Sequence, residues 1–226
     1  EDTYRELQLL ARQYYQMTSL LIKAKVDFNA ICDQVLPGMQ ELMSDHAGRH
    51  KLSDFVLRYC HTTHILEMGE TRFRKDYCKW AEKKGYRNCE RMAALIFATA
   101  QNGIPVLPNA PSTQIVITEA IRVLHTVEAS RDAILTQMQA LAKTLPEYSL
   151  VREMPCIGDT LAPRLIAEIG DVRRFHSKRA LIAYAGIDAP PYQSGKFCAN
   201  NRHISKRGNR YLRKTGYEVM QSYVMH

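Results

Sequence analysis

Apolar residues recur at alternating steps of three and four through Leu7, Leu10, Tyr14, Met17, Leu21, Ala24, Phe28, Ile31 and Val35. Such spacing holds one narrow stripe on one side of a helix, and a stripe sustained for roughly four heptads has to be covered by another helix. Pro37 and Gly38 then end the run, because proline cannot continue a helix and glycine leaves it readily. A second run passes through Ile117, Ala120, Leu124, Val127, Arg131, Ile134, Met138, Leu141 and Leu145 and stops at Pro146. Three arrangements satisfy both stripes. The two arms pair with each other as an antiparallel coiled coil, or they pair with the arms of a second protomer in a homo-oligomer, or they are amphipathic helices of one compact bundle. Arg131 interrupts the second seam, where a polar residue can fix register.

Between the arms, Ser53 and Asp54 are placed to cap a helix through Phe55, Val56, Leu57 and Tyr59, and Arg91 to Ala100 reads as another. Lys83-Lys84-Gly85 breaks the segment, and Asn102 to Ser112, with Pro105, Pro108 and Pro111, is a loop. The expected fold is therefore all-α or nearly so. A helical coiled-coil linker spans 1–149 with an inserted helical segment at about 38–112, and a helix-hairpin-helix-like domain of different texture follows at 150–226. The cysteines are scattered without CxxC pairing, which suits a reduced, cytoplasmic compartment. Cys60, His61 and His64 stand close together, but no second ligand pair follows at zinc-finger spacing, so structural roles and no metal site are expected.

Charge separates the two parts. The formal net charge is +8, and residues 150–226 carry 13 Lys and Arg against 6 Asp and Glu, whereas the first 149 carry 18 against 17. Positive charge gathered in one segment suits a polyanion, since each phosphate neutralised releases counterions. A membrane surface would use the same charge, but no apolar run approaches the ~20 residues needed to span a bilayer.

Residues Met154 to Ala162, followed by apolar Leu165, Ile166 and Ile169, read as a helix-hairpin-helix. In that element a tight turn aims backbone N–H groups at a phosphate, which makes Gly158 and Thr160 candidate contacts. The usual form of the motif has glycine where Cys156 stands. After Arg173-Arg174-Phe175, Ser177 is placed to cap a helix that ends at Gly186. The extended, turn-rich stretch Pro190 to Gly195 leaves the Ser194 hydroxyl on a loop a substrate can reach, and Gly195 permits close backbone approach. From Lys196 to Lys214 there are seven basic residues and no acidic one: Lys196, Arg202, Lys206, Arg207, Arg210, Arg213 and Lys214. Lys206 to Asn209 reads as a turn, and Arg210, Arg213 and Lys214 share one helix face. Together with Gly195 and Asn209 these are the expected nucleic-acid contacts. A hydroxyl attacking a phosphodiester needs activation, charge neutralisation and in-line placement. The arginines supply the second, and His203 is a candidate for the first, although a histidine in a basic loop equally suits a phosphate contact. No pair of carboxylates stands near Ser194 in sequence. From the residues alone, Ser194 is either a nucleophile or a hydrogen-bond donor of a non-catalytic helix-hairpin-helix binding module.

Six blocks resemble the C-terminal transposase domain of the IS110/IS116/IS902 family: Met154 to Gly158, Ala167 to Asp171, Arg174-Phe175, Ala183 to Gly186, Tyr192 to Gly195 and Ile204 to Arg213. The resemblance covers about Leu150 to Tyr223, and the two long arms are similar to the coiled-coil linker of such transposases. It implies an enzyme of DNA recombination in a bacterial or archaeal cell, with Ser194 as the nucleophile that forms a transient protein–DNA linkage. It implies, too, an N-terminal RuvC-like domain whose four acidic residues hold magnesium, a domain not read in these 226 residues, so that no cofactor is expected here. Some members use an element-encoded guide RNA that pairs with both DNAs, so RNA joins DNA among the implied partners. The 226 residues by themselves are expected to bind DNA or RNA without cleaving it; robust magnesium-dependent nicking of labelled DNA by the purified chain would overturn that.

Overall fold

The computed structural model describes residues 2–45, 50–87, 89–189 and 203–225, together with the backbone of 193–194 and 197–198. The chain is all-α: among the described residues the only extended structure is an antiparallel pair of two-residue strands, β1 (Gln193–Ser194) and β2 (Phe197–Cys198). Two compact units form, one from Ser19–Glu128 and one from Glu1–Thr18 with Ala129–His226. The two arms, α1 (Asp2–Val35) and α7 (Pro111–Ala142), each give one end to each unit.

The continuous unit holds α2 (Met39–Leu42), α3 (Lys51–Tyr59), α4 (Thr62–Met68), α5 (Glu70–Lys83) and α6 (Cys89–Asn102) beside its shares of the arms. Here every seventh position of each run is buried, Leu21, Phe28 and Val35 lying in one core with Ile117 and Leu124, while Ala24, Ile31 and Val127 pack against it partly buried. Aromatic rings fill its centre, with Phe55 and Tyr59 4.8 Å apart and Tyr59 and Phe73 5.2 Å apart between centroids. The cap of α3 differs from the expected one. Asp45 Oδ1 accepts from Leu52 N at 2.7 Å and Ser53 N at 3.2 Å, so an upstream carboxylate satisfies the free amides and Ser53 lies buried inside the first turn. Helices α4 and α5, which the periodicity does not single out, are separated at Gly69, whose φ of 72° only glycine adopts readily. Both ring nitrogens of His61 are engaged, by Thr63 Oγ1 and by the Leu107 carbonyl at 2.9 Å each, and His64 Nδ1 meets the Tyr59 carbonyl at 3.2 Å.

The second unit holds α8 (Glu147–Arg152), α9 (Leu161–Ile169), α10 (Lys178–Ala185) and α11 (Arg210–Met225) with the other ends of the arms. Leu7, Ala11, Met138, Ala142, Leu145 and Ile166 make its core. Between Leu7 and Tyr15 the buried positions step by four, through Ala11, and the heptad residues Leu10 and Tyr14 are only half-buried. An α-helix of 3.6 residues per turn drifts by ~20° per heptad against a 3.5-residue pattern, and the small side chain of Ala11 lets a neighbour approach where the drift has carried the stripe.

Helices α8 and α9 with the turn between them form the expected hairpin, but the left-handed position falls at Cys156, with φ of 63°, and not at Gly158. An L-residue in that conformation costs ~1–2 kcal/mol, part of which glycine would return through its greater freedom in the unfolded chain. Cys156→Gly is expected to stabilise the chain by about 0.5–1 kcal/mol in chemical denaturation. A loss of stability instead would mean that packing of the half-buried thiol outweighs the strain.

Candidate nucleic-acid interface

The interface is built where α10 ends against the start of α11. Ser177 caps α10, its side chain accepting from Ala180 N, and the helix stops at Gly186 with φ of 68°. The chain returns antiparallel to that end: Ser205 N donates to Asp188 O at 2.7 Å, Lys206 N to Gly186 O at 2.9 Å and Asn209 N to Tyr184 O at 2.6 Å. Such close backbone approach requires two glycines face to face. A Cβ on Gly208 would lie 2.1 Å from the Tyr184 carbonyl oxygen, and one on Gly186 would lie 2.5 Å from Gly208 N. Arg213 completes the junction, its Nη1 donating to Ala185 O at 2.8 Å, one of the carbonyls that α10 leaves free at its end.

Asn209 starts α11 and faces both ways. Its Oδ1 accepts from Tyr211 N at 2.9 Å and Leu212 N at 3.1 Å, while its Nδ2 donates to Glu168 Oε2 at 2.7 Å. Glu168 is fully buried on α9, its Oε1 lacks a hydrogen bond, and the Arg12 guanidinium stands 3.5 Å from that oxygen. One turn earlier on α9, buried Arg164 pairs with Glu218 at 2.6 Å, donates to Tyr15 Oη at 2.7 Å and lies 4.5 Å over the Tyr15 ring. Burial pushes the Tyr15 hydroxyl above its ordinary range, against the opposing pull of its hydrogen bond with Thr215 and of the Arg164 charge.

Around this frame opens a cleft of about 470 Å³ lined by Arg12, Tyr184, Arg207, Gly208, Asn209, Arg210 and Tyr211. Two guanidiniums flank the Tyr211 ring, Arg12 at 5.4 Å and Arg210 at 4.8 Å, and Arg174 lies 4.5 Å over Tyr184. Cations stacked on aromatic faces at the positive end of a sixteen-residue helix offer phosphates charge and bases a π-surface.

The sequence-derived candidates thus separate into groups. Arg207 and Arg210 are exposed at the cleft, and Lys206, with φ of 55°, is exposed beside it. Asn209 and Arg213 are committed to internal hydrogen bonds that shape it. Lys214 is exposed, 4.0 Å from Glu218 and 5.2 Å above the Tyr15 ring. Gly158 and Thr160 lie at the hairpin turn, along a separate cleft of about 590 Å³. There Arg152 is paired with Asp159 at 2.9 Å, and Thr160 makes no side-chain cap, so that turn presents no uncompensated cation. Ser194 is placed by its backbone alone, in β1 opposite Phe197. Gly195, Lys196 and Arg202 lie outside the described residues, and His203 is exposed. Arg12, Tyr184 and Tyr211 were not among the candidates. Arg12 stands far from its cleft neighbours in sequence and Tyr184 reads as a helix residue without charges beside it, whereas Tyr211 sits inside the cationic run and that aromatic among cations was the signal that could have found it.

Residues 148–226 match the family described as Transposase IS116/IS110/IS902. Over 95% of its length the chain is 24% identical to the insertion element IS110 uncharacterized 43.6 kDa protein of Streptomyces coelicolor, of which it covers 52%. Over 34% of its length it is 33% identical to the transposase for insertion sequence element IS1111A of Coxiella burnetii, of which it covers 21%. The chain therefore spans about half the length of the first relative and about a fifth of the second. Among the described residues no helix is long and apolar enough to cross a membrane.

Gly208→Ala is expected to lower stability by about 2–3 kcal/mol or more, because the added methyl meets backbone that no rotamer change can move aside. Thermal unfolding reads this directly, and an unchanged midpoint would show that the two chain segments are not held as closely as described.

Proposed function

From the match of residues 148–226 to the family described as Transposase IS116/IS110/IS902, we propose that the chain is the linker and serine-bearing part of an insertion-sequence DNA transposase. The observation that carries this reading is the family match, which contains the Gln193-Ser194-Gly195 block. The cationic, aromatic cleft at the start of α11 supports a nucleic-acid substrate independently of that match.

In this reading DNA lies along the cleft. Arg207 neutralises phosphates, Arg12 adds charge from α1, and the Arg210 and Arg174 guanidiniums, held over the Tyr211 and Tyr184 rings, offer planar cations for phosphates and unstacked bases. The Ser194 Oγ attacks a DNA phosphorus: the Oγ–P bond forms, the bond from phosphorus to a deoxyribose oxygen breaks, and the serine proton passes to a base while the leaving oxygen gains one. Attack of the released hydroxyl of another strand on the serine ester reverses these bond changes and restores Ser194. A RuvC-like acidic domain supplies magnesium for the same composite site and lies outside these 226 residues. An element-encoded guide RNA is a further polyanion that such a cleft would accept.

Two measurements test the reading. In a protein that includes the acidic domain, Ser194→Ala is expected to abolish strand transfer and the covalent DNA adduct on the Ser194 peptide while DNA affinity is kept. Continued strand transfer with only a modest change would make Ser194 a hydrogen-bond donor and leave a non-catalytic helix-hairpin-helix module. Replacing Arg207 and Arg210 by alanine is expected to weaken binding across sequences and to reduce the salt dependence by about 1 in log–log slope for each phosphate no longer neutralised. An unaltered slope would remove the cleft from the interface.

A further inference from the structure

In the continuous unit, three side chains unrelated to the cleft converge between the segment before α3 and the middle of α7. One carboxylate oxygen of Asp45 and one ring nitrogen each of His50 and His125 lie within 4.8 Å of one another. We propose that these three residues bind a first-row divalent cation, zinc by preference, which ties the segment leading into α3 to α7.

The carboxylate is the strongest indication. Asp45 Oδ1 is occupied by the Leu52 and Ser53 amides, which fixes the direction of the group, whereas Oδ2 is buried without any hydrogen-bond partner. An unpartnered carboxylate oxygen out of water is costly, and a cation removes that cost where no protein donor does. A ligand whose other atom is held by hydrogen bonds is also the arrangement in which metal sites orient their first ligands. The two imidazoles are 4.2 Å apart between centroids, a separation at which two protonated rings repel each other. Negative charge faces the pair: Glu128 Oε2 is 3.7 Å from His50 Nδ1, and Asp54, itself paired with Lys84 at 2.7 Å, lies on the same helix as Ser53. The Ser53 hydroxyl, 3.1 Å from His125 Nε2, orients that ring.

Two imidazoles and one carboxylate select zinc, cobalt or nickel over magnesium and calcium, which prefer all-oxygen shells. Tetrahedral bonds of about 2.1 Å place donors about 3.4 Å apart, so rotation of the two rings closes the set around an ion. Three protein ligands leave one position for water or for Glu128. The consequence is structural. The ion would clamp the start of α3, which buries Phe55 and Tyr59, against α7.

Chelator-treated 226-residue chain is titrated with cobalt(II) and with zinc, and binding is read by calorimetry, cobalt absorption and thermal unfolding. One equivalent is expected to bind, with a cobalt spectrum lacking the intense thiolate charge-transfer band, and with a raised melting temperature that magnesium does not reproduce. His50→Ala and His125→Ala are expected to weaken binding by roughly tenfold or more. Asp45→Asn, which retains an oxygen for the Leu52 and Ser53 amides, is expected to weaken it while circular dichroism stays unchanged. Absence of saturable binding, affinity that survives His125→Ala and Asp45→Asn, or a thiolate band tracing the metal to cysteines would each overturn the proposal. None of these outcomes bears on the Ser194 reading.

Discussion

Two charges of opposite sign stand one turn apart on α9, and both are out of water: Arg164 and Glu168. Neither is tolerable alone, because an uncompensated buried charge costs several kcal/mol. Each therefore recruits partners from other elements. Arg164 takes Tyr15 from α1 and Glu218 from α11, and Glu168 takes Gln8 and Arg12 from α1 and Asn209 at the start of α11. A purely apolar helix in this place would tolerate α11 at several registers. The charged pair admits one, since a shift of α11 by a single residue would separate Asn209 from Glu168 and Glu218 from Arg164. The cleft inherits that register: Arg207, Arg210 and Tyr211 occupy their positions because Asn209 is fixed beneath them.

Much of the fold was legible because helices announce themselves locally. The two heptad runs located α1 and α7, and Ser177 and Gly186 marked the ends of α10. Legibility failed where the deciding partner is distant in sequence. The amides of α3 are satisfied by Asp45 and not by Ser53 or Asp54, and no local pattern distinguishes three polar residues all suited to capping. On α9 the apolar residues Leu165, Ile166 and Ile169 drew notice; Ile166 is buried in the core, but the other two are only half-buried, while the charged residues of the same helix lie inside. A sequence rule that places Arg and Glu outside cannot anticipate partners supplied from residues 8 to 15 and 209 to 218.

The candidate site divides along the same line. The acid-free cationic run was visible in composition, and the structure separates members that present charge from members that build the surface. Arg213 and Asn209 look, in sequence, like further phosphate contacts, but one closes the carbonyl end of α10 and the other caps α11. The hairpin illustrates the converse. At its glycine-bearing turn Asp159 pairs with the nearby Arg152, and the left-handed residue is a cysteine. Charge pairing, which sequence does not display, distinguishes the two turns.

The division of the arms between units bears on how the chain reaches its native state. Ser19–Glu128 is continuous and can fold on interactions within itself, whereas the other unit needs Glu1–Thr18 to meet Ala129–His226 across everything between. Closing so long a loop in an unfolded chain is slow, and the entropy is lost before Arg164 and Glu168 gain their α1 partners. Prior folding of the intervening segment shortens that loop. Leu7, Ala11 and Tyr15, which precede the intervening segment in the chain, are thus used last: during synthesis they wait until Met138, Ile166 and Thr215 have emerged before those partners can cover them.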